Sequence, residues 1–355
     1  MSISQDHAAS LAAQLHPQAR GEKLIRAVYR RSGVDRRASV LLEGTAADGQ
    51  PLQSFYQPIS DQEPHGPTTL RRMSAYGEFA APLAVQAAAR VLREAALTPR
   101  SITHLVTVSC TGFQAPGFDL ALIAELELSP DVQRTHVGFM GCHAALNGMR
   151  IARALAASEP GACVLLCAVE LCSLHHQYTQ EAEGIVANSL FGDGAAACIV
   201  RAAAEDEPQG LGSCELRGQA SHVVAESAEL MSWNIADHGF RMTLSPKVPD
   251  IIRGQLRPWL ERFLARYDLT VDRVPHWAVH PGGPRILNAV AESLSLDAAQ
   301  MAPSRETLRN HGNMSSPTVL FILRQLLSQA ATGPCVMLAF GPGLTIEAAL
   351  CELGG

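Results

Sequence analysis

The chain has 355 residues, 47% of them hydrophobic, enough to bury a substantial core in one large or two medium domains. Its formal net charge of −6, with no block of like charge, argues against nucleic acid or an anionic membrane as the main partner. No apolar run approaches the roughly 20 residues of a membrane span, and Met1-Ser-Ile-Ser-Gln-Asp-His lacks the basic-then-apolar order of a signal peptide, so a cytoplasmic protein is expected.

Taken in chain order, the first distinctive segment is basic. Lys23, Arg26 and Arg30 recur at helical spacing, with Arg31, Arg36 and Arg37 just beyond. Such a run is either a solvated helix face or a seat for the phosphates of a nucleotide-bearing substrate. Next, Val137-Gly-Phe-Met-Gly-Cys142 carries a short apolar stretch into a glycine and then an amphipathic helical pattern. That places the Cys142 thiol at a helix mouth, where unpaired N–H groups and the positive dipole end favour thiolate. Cys163, Cys167, Cys198 and Cys335 lie inside apolar, strand-like runs, where cysteine acts as a small hydrophobe. Nine cysteines, an odd number, suggest no disulfide framework. A zinc site from Cys163, Cys167, Cys172, His175 and His176 is disfavoured, because alternating strand faces scatter those ligands.

The chain also repeats itself. Thr103-His104-Leu-Val-Thr-Val matches Pro275-His276-Trp-Ala-Val-His, and Gly161-Ala-Cys-Val-Leu-Leu matches Gly333-Pro-Cys-Val-Met-Leu, both at an offset of 172. Each matched run is short, apolar and bounded by turn residues, with helical patterns between, so two similar α/β halves are expected, 1–205 and 206–355. The same offset carries the turn ending at Gly141 onto Asn313, in His311-Gly-Asn313-Met-Ser-Ser-Pro, a second glycine turn entering an apolar helix. A pseudo-twofold axis between the halves would bring Cys142 and Asn313 together. The first strand of the second half adds His280 just before Pro281-Gly-Gly-Pro, where a loop can expose the imidazole. A Cys–His pair sustains a thiolate at neutral pH and an amide donor steadies a developing oxyanion, which is the chemistry of acyl transfer. Taken singly, His280 could be a hydrogen-bonded strand end and Asn313 a helix cap.

At these residues the sequence resembles the type III polyketide synthases, the chalcone and stilbene synthase superfamily, in their bacterial form. Gly138-Phe-Met-Gly-Cys142 resembles the family's nucleophile elbow, Val279-His280-Pro-Gly-Gly-Pro its histidine loop, and His311-Gly-Asn313-Met-Ser-Ser-Pro its asparagine turn. Leu190-Phe191-Gly-Asp-Gly is similar to the motif whose phenylalanine guards the tunnel junction, and Phe340-Gly341-Pro342-Gly343-Leu-Thr345 to the loop that shapes the cavity. The resemblance implies a thiolase-like fold, two pseudo-twofold α/β halves in αβαβα layers, working as a cytoplasmic homodimer. It also implies that acyl-CoA and malonyl-CoA are the substrates and that no metal or cofactor is required. Cys142 would take the acyl group, and His280 and Asn313 would hold the malonyl thioester carbonyl during decarboxylation. Arg31 and Arg26, with Gly282 and Gly283, would meet the coenzyme A moiety.

Two departures concern the framework. The family's opening strand and Gly-Thr turn have no counterpart here, and Ala115 stands where plant members carry a methionine that crosses the dimer interface. Others concern the pocket. Met242 falls at a second guarding phenylalanine of plant members, and Cys110 and Cys172 replace the hydroxyl residues usual in those enzymes, as in bacterial members. Small groups at Ala115, Ala144 and Ala145, with Met242, favour a long apolar starter, hence a fatty acyl-CoA elongated to an alkylpyrone or alkylresorcinol. The alternatives are a malonyl-CoA-only naphthalene-type synthase, an initiating β-ketoacyl-acyl carrier protein synthase, and a non-catalytic thiolase-like scaffold that binds lipid or a partner. A papain-like peptidase leaves the duplication without a role.

Overall fold

A computed structural model gives the fold and describes residues 1–15, 19–46, 49, 51–202 and 212–354. The expected boundary at 205/206 lies outside the described residues.

The chain opens with β1 (Ser2–Ser4), α1 (Gln5–Leu15) and α2 (Ala19–Arg30), then the short strands β2 (Arg36–Ala38), β3 (Gly44–Thr45) and β4 (Pro51–Leu52). The first half proper runs through α3 (Thr69–Glu94), β5 (His104–Ser109), α4 (Phe118–Glu125), β6 (Gln133–Gly138), α5 (Ala144–Ser158), β7 (Cys163–Leu171), α6 (Ala182–Leu190) and β8 (Asp193–Arg201). The second half follows as β9 (Cys214–Val223), the hairpin β10 (Met231–Ala236) and β11 (Gly239–Leu244), α7 (Val248–Ala265), β12 (His276–Val279), α8 (Pro284–Leu294) and α9 (Ala298–His311). It closes with α10 (Thr318–Ser328), β13 (Gly333–Gly341) and β14 (Thr345–Leu353). Among the described residues no helix is long and apolar enough to cross a membrane.

Two four-stranded sheets carry the duplication. One is ordered β6-β5-β7-β8 and the other β12-β13-β14-β9. In each, two parallel strands (β5 with β7, β12 with β13) are followed by an antiparallel one (β8, β14). The 172-residue offset holds for these parallel strands, pairing His104 with His276 and Cys163 with Cys335. The match fails at the edges, where β6 extends the first sheet beside β5 and β9 extends the second beside β14.

Side-chain packing defines the layers. Val106, Val108, Val164 and Leu166 of the first sheet share one core with Ala278, Met337 and Ala349 of the second, and Leu146 of α5 and Ile322 of α10 lie between them. Outside the first sheet, α3 and α4 cover its other face through Ala80, Ala84, Ala88 and Leu122. Outside the second, α7, α8 and α9 do the same through Leu256, Leu260, Leu287, Val290 and Leu308. The arrangement is the αβαβα sandwich. Because β7 is wholly buried and β13 nearly so, both read as continuous apolar runs rather than alternating ones.

Arg72 of α3 is fully buried and fixes the segment after β7. Its guanidinium donates to the carbonyls of Pro67, Leu174 and His176 at 2.8, 2.6 and 3.0 Å and to the Tyr56 hydroxyl at 3.1 Å. Replacing it leaves those acceptors unpaired, so Arg72→Ala should lower unfolding free energy by about 3 kcal/mol in urea titration. A loss below about 1 kcal/mol, the worth of an ordinary hydrogen bond, would contradict this role.

Candidate active site

Cys142 sits one residue beyond a tight turn. Phe139 and Gly141 both take left-handed backbone, φ 59° and 76°, and a Cβ on Gly141 would stand 2.4 Å from Pro342 Cδ. Glycine is therefore required on both counts, and the turn delivers Cys142 to the short helical turn that leads into α5. The opposing turn is built similarly. Gly312 has φ 71°, and its missing Cβ would meet the Leu190 carbonyl oxygen at 2.8 Å. That close approach lets the Asn313 backbone N–H donate to Leu190 O (2.8 Å), while Gly192 N–H donates to Asn313 O (3.0 Å). Phe191 and Asn313 thus form an isolated parallel bridge between the two halves.

The turns meet as the duplication required. The side chains of Ser315 and Asn313 lie beside the Cys142 thiol. Asn313 Oδ1 already accepts the Ser315 N–H at 2.8 Å, which leaves the amide NH2 as the end able to donate to a substrate. His280 ends β12, its backbone N–H donating to Leu338 O at 2.8 Å, and is 1% exposed. Two expectations need correction here. The imidazole is buried rather than loop-exposed, and neither ring nitrogen has a hydrogen-bond partner. The helix mouth also does not yield a ready thiolate: burial pushes the Cys142 thiol up to about 12, and burial with neighbouring His143 pulls His280 down to about 3. Both groups are neutral in the empty site, because neither charge is hydrated there.

Around the thiol lies a cavity of about 1340 Å³, its open mouth included. Cys110, Cys172, Phe191, Met242 and Pro342 line it with Cys142. The other expected pocket residues do not. Ala115 is exposed, in a turn with a cis Ala115–Pro116 bond. Ala144 and Ala145 are fully buried between the sheets because the start of α5 turns them inward. Gly341 faces His143, whose ring occupies the space of its missing Cβ, and Gly343 is engaged through its N–H with Met231 O at 3.2 Å.

Among the basic residues, Arg31 is exposed, and Arg26 pairs with Glu22 at 2.9 Å and reaches Ser10 Oγ at 3.2 Å. Arg37 is not part of a surface cluster. It points inward and donates to the carbonyls of Asn188 and Phe191 at 2.6 and 2.9 Å. Gly282 and Gly283 lie after His280, Gly283 at φ 139° immediately before α8. No group of three or more His, Cys, Asp or Glu among the described residues is placed to hold a metal ion.

Sequence reasoning missed three residues. Ser315, at φ 56°, lies beside the thiol. His143 is held through Nδ1 by Asn147 Oδ1 at 2.7 Å, and Asn147 Nδ2 donates to Glu347 Oε1 at 3.0 Å, with Arg150 paired to the same carboxylate. Glu170 is fully buried and accepts from Cys110 N–H (2.8 Å), Thr111 Oγ1 (2.8 Å) and Ser316 Oγ (2.6 Å). A lone glutamate in the apolar run Cys163–Leu171 was the available signal.

The fold defines the class first: a thiolase-like α/β transferase. Sequence models of the family "Chalcone and stilbene synthases" match here, the N-terminal domain over residues 62–204 and the C-terminal domain over 215–353. The chain is 31% identical to the "Alpha-pyrone synthesis polyketide synthase-like Pks18" of Mycobacterium tuberculosis, over 99% of this chain and 88% of that protein. It is 34% identical to the 1,3,6,8-tetrahydroxynaphthalene synthase of Streptomyces peucetius, over 75% and 71% of the respective chains. The crystal structure of PKS-I from the brown alga Ectocarpus siliculosus superposes with a TM-score of 0.92 at 30% identity, covering 99% of this chain and 95% of that one. This chain belongs to the chalcone and stilbene synthase family and is a type III polyketide synthase. Such enzymes are transferases that join coenzyme A-borne acyl units by decarboxylative condensation without a cofactor.

The carboxyl of Glu170 is pushed up to about 7, chiefly by burial and against the pull of its three donors. A carboxyl raised on folding lends stability that is complete below its unfolded value near 4.5 and is lost as pH rises through 7. Between pH 4.5 and 8 the wild type should therefore lose roughly 3 kcal/mol relative to Glu170→Gln. Parallel stability profiles in urea titrations across that range would contradict the assignment.

Proposed function

We propose that the protein condenses a fatty acyl-CoA starter with malonyl-CoA, in repeated decarboxylative rounds, and releases an alkylpyrone or alkylresorcinol. The observation that carries the reading is the placement of Asn313 and Ser315 beside Cys142, which together with Ser315 lines a cavity with largely apolar walls. The Mycobacterium relative, named for alpha-pyrone synthesis, favours the pyrone.

In the loading step Cys142 Sγ bonds to the acyl carbon as its proton passes to His280, and the coenzyme A sulfur leaves with a proton. Malonyl-CoA then binds with its thioester carbonyl toward His280 and Asn313. The bond to its carboxylate breaks, carbon dioxide departs, and the electron pair is held as an enolate. Its carbon attacks the acyl-cysteine, a carbon–carbon bond forms, and Cys142 is released for the next transfer. An unpartnered imidazole and an amide NH2 are the donors such an oxyanion needs. Ser315 orients the thiol beside them. Arg26 of α2 and Arg31 just after it, with the backbone of Gly282 and Gly283, would receive the coenzyme A phosphates and pantetheine. Residues 1–205 and 206–355 then act as one cytoplasmic unit, paired in a homodimer.

A second reading has its own support. The Streptomyces relative is a naphthalene synthase, and a malonyl-primed reaction would use the same three residues.

Incubating the protein with malonyl-CoA and short, aromatic and long-chain acyl-CoAs, without carrier protein, should yield alkylpyrones or alkylresorcinols by mass spectrometry and none from Cys142→Ala. Product from malonyl-CoA alone would transfer the assignment to the second reading, and condensation only with malonyl-acyl carrier protein would remove both. His280→Ala and Asn313→Ala should each slow malonyl-CoA decarboxylation by about 100-fold, the scale of losing one oxyanion donor, while single-step acyl loading of Asn313→Ala falls less. Unimpaired decarboxylation in both would remove their assigned role.

A further inference from the structure

His143 follows Cys142 directly, is 2% exposed, and takes no part in the reaction described above. Gly141, Cys142 and Pro342 line the cavity and His143 does not. It lies where the short helical turn Gly141–His143 becomes α5, and with Asn147 and Arg150 it stands at i, i+4 and i+7, one helical face. That face is tied to β14. His143 Nδ1 is 2.7 Å from Asn147 Oδ1, Asn147 Nδ2 donates to Glu347 Oε1 at 3.0 Å, and Arg150 pairs with the other carboxylate oxygen.

This chain leaves the imidazole one arrangement. The Glu347 carboxylate, paired with Arg150, only accepts, so Asn147 turns its NH2 toward Glu347 and its carbonyl toward His143. His143 must then donate through Nδ1, which fixes its tautomer and the orientation of its ring. The far edge of the ring lies against Gly341. A Cβ on Gly341 would stand 2.7 Å from Nε2 and nearer still to Cδ2, well inside the roughly 3.5 Å of an ordinary contact.

Gly341 ends β13 and opens the turn into β14, the strand that carries Glu347. Thr345 Oγ1 donates to Pro342 O at 3.0 Å and Ser227 Oγ to Gly343 O at 2.7 Å, which hold the turn from one side. On the other side it rests on the nucleophile turn through two close approaches, Pro342 against Gly141 and Gly341 against His143. The supports therefore close on themselves, from Gly341 along the hairpin to Glu347 and back through Asn147 and His143. We propose that His143 is a positioning residue for acyl transfer. Anchored by Asn147 and Glu347, its imidazole props the Gly341–Pro342 turn and sets the gap between Pro342 and Cys142 in which the acyl carbon must sit. This rests on Cys142 as the nucleophile, proposed above, and deepens that reading.

Acylation of Cys142 by butanoyl-, octanoyl- and palmitoyl-CoA, timed by intact-protein mass spectrometry with Cys142→Ala as the control, tests the prop without any condensation step. In Gly341→Ala either ring or turn must shift, and loading at saturating thioester should slow about 100-fold, the scale of a misplacement of roughly 1 Å. His143→Asn keeps a donor at the Nδ1 position and removes the ring edge beneath Gly341. It should slow loading at least about tenfold, with less than about threefold change in KM and the final acylated fraction intact. Adding Gly341→Ala to His143→Asn should then cost less than about threefold, since the methyl enters the space the ring has left. Circular dichroism melts identify any variant that fails to fold, and should Gly341→Ala be one, the His143→Asn rate decides. Loading by His143→Asn at the wild-type rate, an equal loss from Gly341→Ala in both backgrounds, or a smaller acylated fraction at an unchanged rate would each overturn the role of His143. A wild type that none of the three thioesters acylates, or an adduct that persists in Cys142→Ala, would overturn the nucleophile reading and the prop with it.

Discussion

Two backbone hydrogen bonds hold this site together. Asn313 N–H to Leu190 O and Gly192 N–H to Asn313 O bind the loop after α9 to the chain leaving α6, across the boundary between the halves. They form only because Gly312 lacks a Cβ that would collide with the Leu190 carbonyl. With that seam in place, Asn313 and Ser315 reach the thiol of Cys142, which comes from the other half. Phe191, sitting in the seam, becomes a cavity wall by the same geometry. The reactive constellation is a property of the duplication rather than of either half.

Burial has a cost and a use in this arrangement. Cys142, His280 and Glu170 are each nearly or fully removed from water, and each is driven toward its neutral form. A buried neutral thiol and a buried neutral imidazole are each stable and unreactive. In the proposed loading step, transfer of one proton between them would create two charges that stabilise each other at once, and the nucleophile would exist only as part of a pair. The same dry surroundings would strengthen each donor that the proposed mechanism aims at an enolate oxygen.

Much of this was legible in the sequence because it was local or repeated. The helix mouth at Cys142, the glycine turn at Asn313 and the buried strands of both halves carry short-range signatures, and a shared offset of 172 related them in space. Residues whose role depends on which face of a helix meets which neighbour were not legible. Ala144 and Ala145 were read as pocket residues for their size, but the first turn of α5 sends them between the sheets. Arg37 looked like one more surface cation, yet β2 turns it inward to cap two carbonyls. Glu170 is anchored by partners from the turn before α10 and the segment after β5, and Asn147, which holds His143, by Glu347 of β14, contacts of long sequence separation that no local pattern announces.

The measurement that bears most directly on this account is the pH dependence of Cys142 alkylation by iodoacetamide, followed by peptide mass spectrometry in wild type and His280→Ala. If the thiolate arises only by proton transfer to His280, wild-type Cys142 alkylates at pH 7 at least about tenfold faster than the variant, whose rate keeps climbing into strongly alkaline pH. Equal rates at neutral pH would show that Cys142 ionises without His280, and the paired-charge account of the site would fail.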